Sequence, residues 1–341
     1  MTTMEDSKKA PGSMMRPERS WIQRLIVDRP EMMIIAALVL IVGLFVAMRP
    51  DAFLSAINIR NMAVEAAMMM FLAVGMTYVI ITAGIDLSVG AVLVLSGVCS
   101  VLVMRTIGVE QPLAPWAGLF VALGCGTLWG WVNGFFVART KLSPLIVTLA
   151  TMGIALGIAR LLSGGVDITG VPRSVVNGIG IGRVLGIPVI FLLSMAFAVL
   201  AAIVLHRTRF GLHTFAIGSN VQAAERAGIN VTRHLIVVYA FSGFCAGLAG
   251  YLTLSRFAST TIAGHSMDNL KAITAVVLGG ASLFGGVGTL FGTSVGVLIP
   301  VVLASGLVII GLPSFWQEVA VGVVLLAAVL LDKWRRNSRV R

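Results

Sequence analysis

Ten apolar runs, each near the ~20 residues that a helix needs to cross a bilayer, alternate with short polar segments along the chain. They lie at about 31–48, 61–82, 87–104, 113–138, 143–162, 187–205, 234–257, 270–284, 287–310 and 313–331. The pattern predicts an all-α, polytopic integral membrane protein of about ten transmembrane helices. A polar N-terminal tail (1–30), a transmembrane domain (31–331) and a basic C-terminal tail (332–341) follow from the same pattern. Glycine and proline interrupt several runs. Gly126, Gly130 and Gly134 recur every four residues, as do Gly288, Gly292 and Gly296, and Gly243 pairs with Gly247. Such stripes let helix backbones approach closely where lipid supplies no hydrophobic drive between spans.

The longest polar interruption between runs is 206–233. Within it, Ser219 and Gln222 stand in capping-box spacing, and Gly228 sits where a left-handed residue ends a helix. A short helix over about Asn220–Ala227 is predicted, with Ala223, Ala224 and Ala227 as a small-residue face suited to docking in a partner's groove. An ordinary loop with one helical turn fits the same residues.

Two glycine-rich breaks interrupt apolar sequence: Gly84-Ile85-Asp86-Leu87-Ser88-Val89-Gly90 and Gly279-Gly280-Ala281-Ser282-Leu283-Phe284-Gly285-Gly286. Both are expected toward the same side as 206–233. Irregular backbone at membrane depth is tolerated where it is buried in protein or lines a cavity, and transporters use such breaks to present polar groups to solutes. Gly84, Asp86, Ser88, Gly90, Gly279, Gly280 and Ser282 are therefore candidates for a pathway or gate. A tight turn between two spans accounts for the glycines equally well. Asp86 itself reads as a helix cap that accepts an amide from Ser88 or Val89, or as a pathway residue facing a cavity.

Composition fixes the class independently. Hydrophobic residues make up 58% and charged residues 11%, with a mean hydropathy of +0.99, far from the roughly 25% charged of soluble domains. The net charge of +11 raises nucleic acid as a partner, but the cations flank apolar runs instead of forming an aromatic-studded surface. Six Lys and Arg lie in the first thirty residues, two at Arg139 and Lys141, four in 206–233 and five after Asp332, so 17 of the 25 fall on one side of a ten-span topology. That excess places both tails and 206–233 in the cytoplasm. The first apolar run begins near Met32 after a long charged lead, unlike a cleaved signal peptide.

Catalytic chemistry finds no support. The sequence holds no phosphate-binding loop, so ATP is not expected to bind here. His206, His213, His234 and His265 are scattered, and Cys99, Cys125 and Cys245 lie in apolar runs with core packing as their expected role, so no metal or cofactor is expected. Glu65, Asp86 and Lys271 are the ionisable residues near the membrane core. At roughly 2.5–3.5 kcal/mol or more each at the bilayer centre, they should face protein, a watery cavity or the interface.

Three motifs carry a resemblance to a family. Thr208–Val231 (T-R-F-G…A-I-G-S-N…A-A-E-R-A-G-I-N-V), Gly75–Gly90 (G-M-T-Y-V-I-I-T-A-G-I-D-L-S-V-G) and Ala275–Thr289 (A-V-V-L-G-G-A-S-L-F-G-G-V-G-T) resemble, in order, the ribose-type sugar ABC importer permeases. The resemblance implies a permease subunit for a monosaccharide or related polyol in the bacterial inner membrane. It implies a separate ABC ATPase subunit docked on 206–233, a second permease chain and a periplasmic sugar-binding protein. Arg209, Gly211, Gly218, Asn220, Ala223, Ala224, Ala227 and Gly228 become the ATPase-coupling candidates. Lys271 stands where the family usually has an acidic residue, and Glu65 where it usually has a neutral polar one. A branched-chain amino-acid permease, or a transporter working alone, is the alternative.

Overall fold

The structure is a computed structural model that describes residues 30–340, with side chains described over 32–333. The expected tail over residues 1–29, and the side chains of the basic residues beyond Lys333, lie outside the described residues.

Twelve helices organise the described chain, apart from short helical turns. They are α1 (Pro30–Met48), α2 (Ala56–Ile81), α3 (Val89–Ile107), α4 (Ala114–Thr140), α5 (Pro144–Ser163) and α6 (Val189–Arg207). Then come α7 (Arg209–Ser219), α8 (Val221–Arg226), α9 (Val231–Phe257), α10 (Asp268–Leu278), α11 (Leu290–Ile309) and α12 (Phe315–Val340). A small antiparallel hairpin pairs Arg183–Val184 with Ile187–Pro188. Local chemistry sets the helix starts: the Ser55 hydroxyl accepts the Asn58 amide at 3.3 Å, and the Thr289 hydroxyl accepts the Gly292 amide at 3.0 Å. Both close orphan donors of a first turn.

Eight of these helices, α2–α6, α9, α11 and α12, are long and apolar enough to cross a membrane. α1, 19 residues from Pro30 to Met48, matches α3 and α6 in length, with Met32–Met48 as its apolar part. The ten-span expectation is therefore corrected at one place. The eighth apolar run holds only α10, whose 11 residues reach about 16 Å, near half of a ~30 Å hydrocarbon layer. Glycine ends it: Gly279 and Gly280 follow Leu278, and Gly280 has φ +88°. The other half of that crossing is irregular chain over 258–267. It leaves α9 at Ala258, pairs with the 167–169 loop, and descends until the His265 carbonyl meets Gly90 on the first turn of α3.

The two breaks differ in depth. Both begin at the end of the molecule that carries α7 and α8, called here the basic end. The second stays there, but the first climbs back inside. Asp86 bonds Ser242, which lies eleven residues into α9, or about 16 Å from its basic end.

Burial sorts the helices into layers. α2 is sheathed on nearly all sides, α3 and α9 lie beside it, and α5, α6 and α12 expose most of their apolar surface. The glycine stripes pack as expected: Gly126 and Gly130 of α4 sit directly on the α9 backbone at Gly243 and Tyr239, leaving no room for a Cβ. Gly292 and Gly296 of α11 meet the carbonyls of Gly279 and Ala275 in the same way.

Candidate functional site

At the basic end, three segments far apart in sequence meet. α6 ends at Arg207, and α7 folds back so tightly that Gly211 lies against the Leu205 carbonyl. The far end of α7 brings Gly218 onto the Ile81 carbonyl, the last turn of α2, where any Cβ would overlap that oxygen. The same Ile81 oxygen accepts the Gly286 amide at 2.9 Å. Gly285 and Gly286, both at positive φ (+84° and +75°), lie against the Gly218 carbonyl and Ser219 respectively. The ends of α2 and α7 and the turn before α11 therefore form one backbone-on-backbone junction.

α8 hangs from this junction. Asn220, not Ser219, is its cap: the Asn220 side chain accepts the Ala223 amide at 2.9 Å, while Ser219 closes α7. Continuation of α7 takes Ser219 into a helix and leaves the next residue, an equally good capping type, to start α8. The helix is also shorter than expected, spanning Val221–Arg226. Gly228 ends the segment at φ +83°, and the Ile229 amide reaches back to the Ala224 carbonyl at 3.1 Å. The small-residue face is split. Ala224 is buried against Ile217 and Val231, whereas Ala223, Ala227 and Arg209 are exposed.

The first break is a buried hydrogen-bonded knot. Asp86 is 1% exposed. Its Oδ1 accepts the Ser88 amide at 3.0 Å and the Ser88 hydroxyl at 2.6 Å, and its Oδ2 accepts the Ser242 hydroxyl at 3.0 Å. The Asn133 amide donates to the Ser88 oxygen at 2.8 Å, and Asn269 donates to the Leu87 carbonyl at 3.1 Å. α4, α9 and α10 thereby satisfy backbone and side chains that lipid could not.

A cavity of about 350 Å³, mostly apolar in its lining but with a set of polar side chains, opens among α2, α10, α11 and α12. Asn58, Asn61 and Glu65 of α2, Lys271 of α10, Ser305 of α11 and Gln317 of α12 supply its polar lining. A second cavity of about 150 Å³ adjoins it, and Glu65, Met69 and Lys271 line both. Behind them, Thr261 bonds His265 at 2.6 Å, His265 Nδ1 meets Asp268 Oδ2 at 2.6 Å, and the Lys271 ammonium stands 3.5 Å from Asp268 Oδ1. The Ser305 hydroxyl donates to Asn58 at 2.7 Å. This wall offers both donors and acceptors to a solute.

A family model described as branched-chain amino acid transport system / permease component matches residues 58–329. The chain belongs to this permease family. It is 41% identical to the ribose import permease protein RbsC of Bacillus subtilis, over 86% of this chain and 90% of that protein. It is 35% identical to the fructose import permease protein FrcC of Rhizobium meliloti (93% and 89% covered). It is 34% identical to a probable ABC transporter permease protein of Sinorhizobium fredii (91% of each). No solved structure matches the chain significantly.

Within the permease, the sequence candidates fall into two groups. Gly218 and Asn220 belong to the junction and its cap. Gly84, Asp86, Ser88 and Gly90 make the buried knot and its approaches, with Gly84 under the Tyr239 hydroxyl. Gly279 packs on Gly292, Gly280 turns the chain, and Ser282 donates to Asp332 at 3.2 Å. None of these pathway candidates lines either cavity of the Glu65–Lys271 wall. Asn58, Asn61, His265, Asp268 and Ser305 were missed as cavity groups. Their signal was a polar stripe, with Asn58, Asn61 and Glu65 at helical spacing on a mostly apolar α2, and His265, Asp268 and Lys271 repeating every three residues.

Proposed function

We propose that this permease is the membrane-spanning subunit of a bacterial ABC importer for a monosaccharide or related polyol. In this reading a separate ATPase subunit docks on α8, a second permease chain completes the pathway, and a periplasmic sugar-binding protein delivers the solute. The chain sits in the inner membrane with both termini cytoplasmic, in keeping with the positive-inside rule.

The junction at Gly218 carries the reading. A short helix hung on the membrane domain is useful if its displacement reaches the pathway, and here the connection is direct. α7 presses on the end of α2 and on the turn that starts α11. Those two helices, with α10 between them, carry Glu65, Ser305 and Lys271 into the larger cavity. From Ile81 to Glu65, α2 is one unbroken helix of seventeen residues, buried throughout from Met69 to Ile81, and about 24 Å long. A push on α8 by a closing ATPase pair would therefore shift the cavity wall as a unit. The mixed donor and acceptor lining suits an uncharged polyhydroxyl solute, in line with the ribose and fructose named for two relatives. The family model's own description favours a branched-chain amino acid as the second reading.

Proteoliposomes holding the chain with its ATPase, ATP and binding protein test both. Uptake of labelled pentose or hexose, dependent on ATP, is expected. Leucine uptake without sugar uptake selects the second reading, and uptake without ATP sinks the ABC assignment.

A further inference from the structure

The last three turns of α4 and the first turns of α9 flank an open cavity of about 600 Å³ beside the basic end. Its mouth carries Arg139 and Arg233, both exposed and neither within salt-bridge distance of a carboxylate among the described residues. Its floor is an open apolar face, made by the half-exposed Trp131 of α4 and Val237 of α9 with Ile236 and Ala240. The gradient is steep: Arg139 stands eight residues from Trp131, and Arg233 seven from Ala240, or about 10–12 Å along the helices. The first residues of α9, with Asn230 capping the Arg233 amide, also line the mouth, so the positive end of the helix dipole lies beside Arg233. On the outer face of α4, Trp131 stacks on Phe135 with ring centroids 5.6 Å apart, and Phe136 meets Phe135 at 5.7 Å. Exposed rings of this kind settle at the headgroup level of a bilayer.

We propose that this cavity binds the headgroup of an anionic phospholipid of the phosphatidylglycerol type. The two guanidiniums take the phosphate, a geometry to which their planar forks are matched. The glycerol and first methylenes lie on Trp131, Ile236 and Val237. A soluble phosphate would use the mouth and leave the floor wet, so the apolar half of the cavity selects an amphiphile. Basic pockets between helices at the cytoplasmic side of membrane proteins bind anionic headgroups by the same combination. The site flanks the glycine seam of α4 and α9, where Gly134 lies on Ile236 and Gly130 on Ala240, so a bound lipid would lie along the side of a closely packed helix pair.

Native mass spectrometry of the purified, delipidated chain in micelles tests the proposal, with phosphatidylglycerol, phosphatidylcholine or inorganic phosphate added. Arg139→Gln with Arg233→Gln is expected to weaken phosphatidylglycerol binding about tenfold or more. Phosphatidylcholine binding should be unchanged, which also reports intact folding. Arg173→Gln with Arg183→Gln removes the same charge from exposed sites outside this cavity and should leave phosphatidylglycerol binding as in the wild type. Equal losses in both pairs, or none in either, overturn the site. Displacement of the lipid by equimolar inorganic phosphate overturns the amphiphile. On the unmodified chain, a photoactivatable phosphatidylglycerol should label peptides containing Trp131 or Val237, and labelling only elsewhere overturns the proposal whatever the variants do. A cysteine placed at Val237 that crosslinks to the ATPase or a second permease chain in the assembled transporter overturns it as well.

Discussion

The Gly286 amide donates to the Ile81 carbonyl across 2.9 Å, so the last turn of α2 and the turn leading into α11 are held as one body. Gly218 lies on that same carbonyl. One peptide oxygen thus joins the segment that faces the ATPase in our reading to the two helices that line the larger cavity.

Gly218→Ala places a methyl carbon where the Ile81 oxygen already is, and both neighbours are backbone, which cannot rotate away. Membrane insertion should stay near wild type, because the overlap lies at one end of the fold. Sugar uptake should fall about tenfold or more, a loss that needs only ~1.4 kcal/mol, while ATP hydrolysis by the associated ATPase continues. Uptake equal to wild type would show that the junction transmits nothing.

The alanines of α8 should separate folding from docking. Ala224→Arg forces a long cation into the Ile217–Val231 cluster and should lower the amount of stable protein in the membrane. Ala227→Arg changes an exposed position and should leave expression intact while the ATPase no longer co-purifies. If Ala227→Arg keeps both ATPase association and uptake, α8 is a connector.

Asp86→Asn keeps an oxygen for Ser88 and can turn its amide toward Ser242, so most transport should remain. Asp86→Leu strands the Ser88 amide and hydroxyl and should destabilise the protein by about 1–3 kcal/mol, seen as a lower melting temperature in detergent. Ser88, not Asp86, immediately precedes α3 and makes no side-chain cap bond, so Asp86 fastens the turn before the helix instead of capping it as expected. An Asn variant that assembles normally but moves no solute would falsify this structural role and assign the charge to transport.

Glu65→Gln and Lys271→Met each remove one charged group from the wall shared by the two cavities. Hydrogen bonds to charged groups are worth roughly 1.5–3 kcal/mol, so sugar uptake per inserted chain should drop about tenfold to a hundredfold. Melting temperatures should barely move. Unchanged uptake in both variants would place the solute path elsewhere.

Sidedness follows from the charge distribution. In intact cells an impermeant thiol reagent should spare Gln222→Cys on α8 and label Ser174→Cys in the 164–188 loop. Labelling of the first from outside reverses the topology.

The apolar runs made the long helices legible, because a twenty-residue stretch with few charges has one stable form in lipid. The glycine stripes likewise foretold which helix faces meet. What the runs hid was backbone that leaves the helix at depth. Residues 270–284 read as one span, yet Gly279 and Gly280 stop α10 at Leu278, and the missing half of the crossing is the polar 258–267 loop. Asp86 was legible as an acceptor for Ser88, but its distant partner Ser242 was not, since a sequence does not state which serine of α9 faces inward. The cavity was the least legible element. Its residues lie on four helices, and Glu65 and Lys271 gain meaning once α2 and α10 are brought together.

The shortness of α10 also bears on how the chain is made. A segment of 11 residues is too brief to span a membrane in its own right, and it opens on Asp268, just after His265 of the loop before it. Its resting place is formed chiefly by α2, α11 and α12, the last two of which are synthesised after it. The segment is therefore fully housed once α11 and α12 have been made, which makes the wall containing Lys271 one of the last parts of the protein to be built.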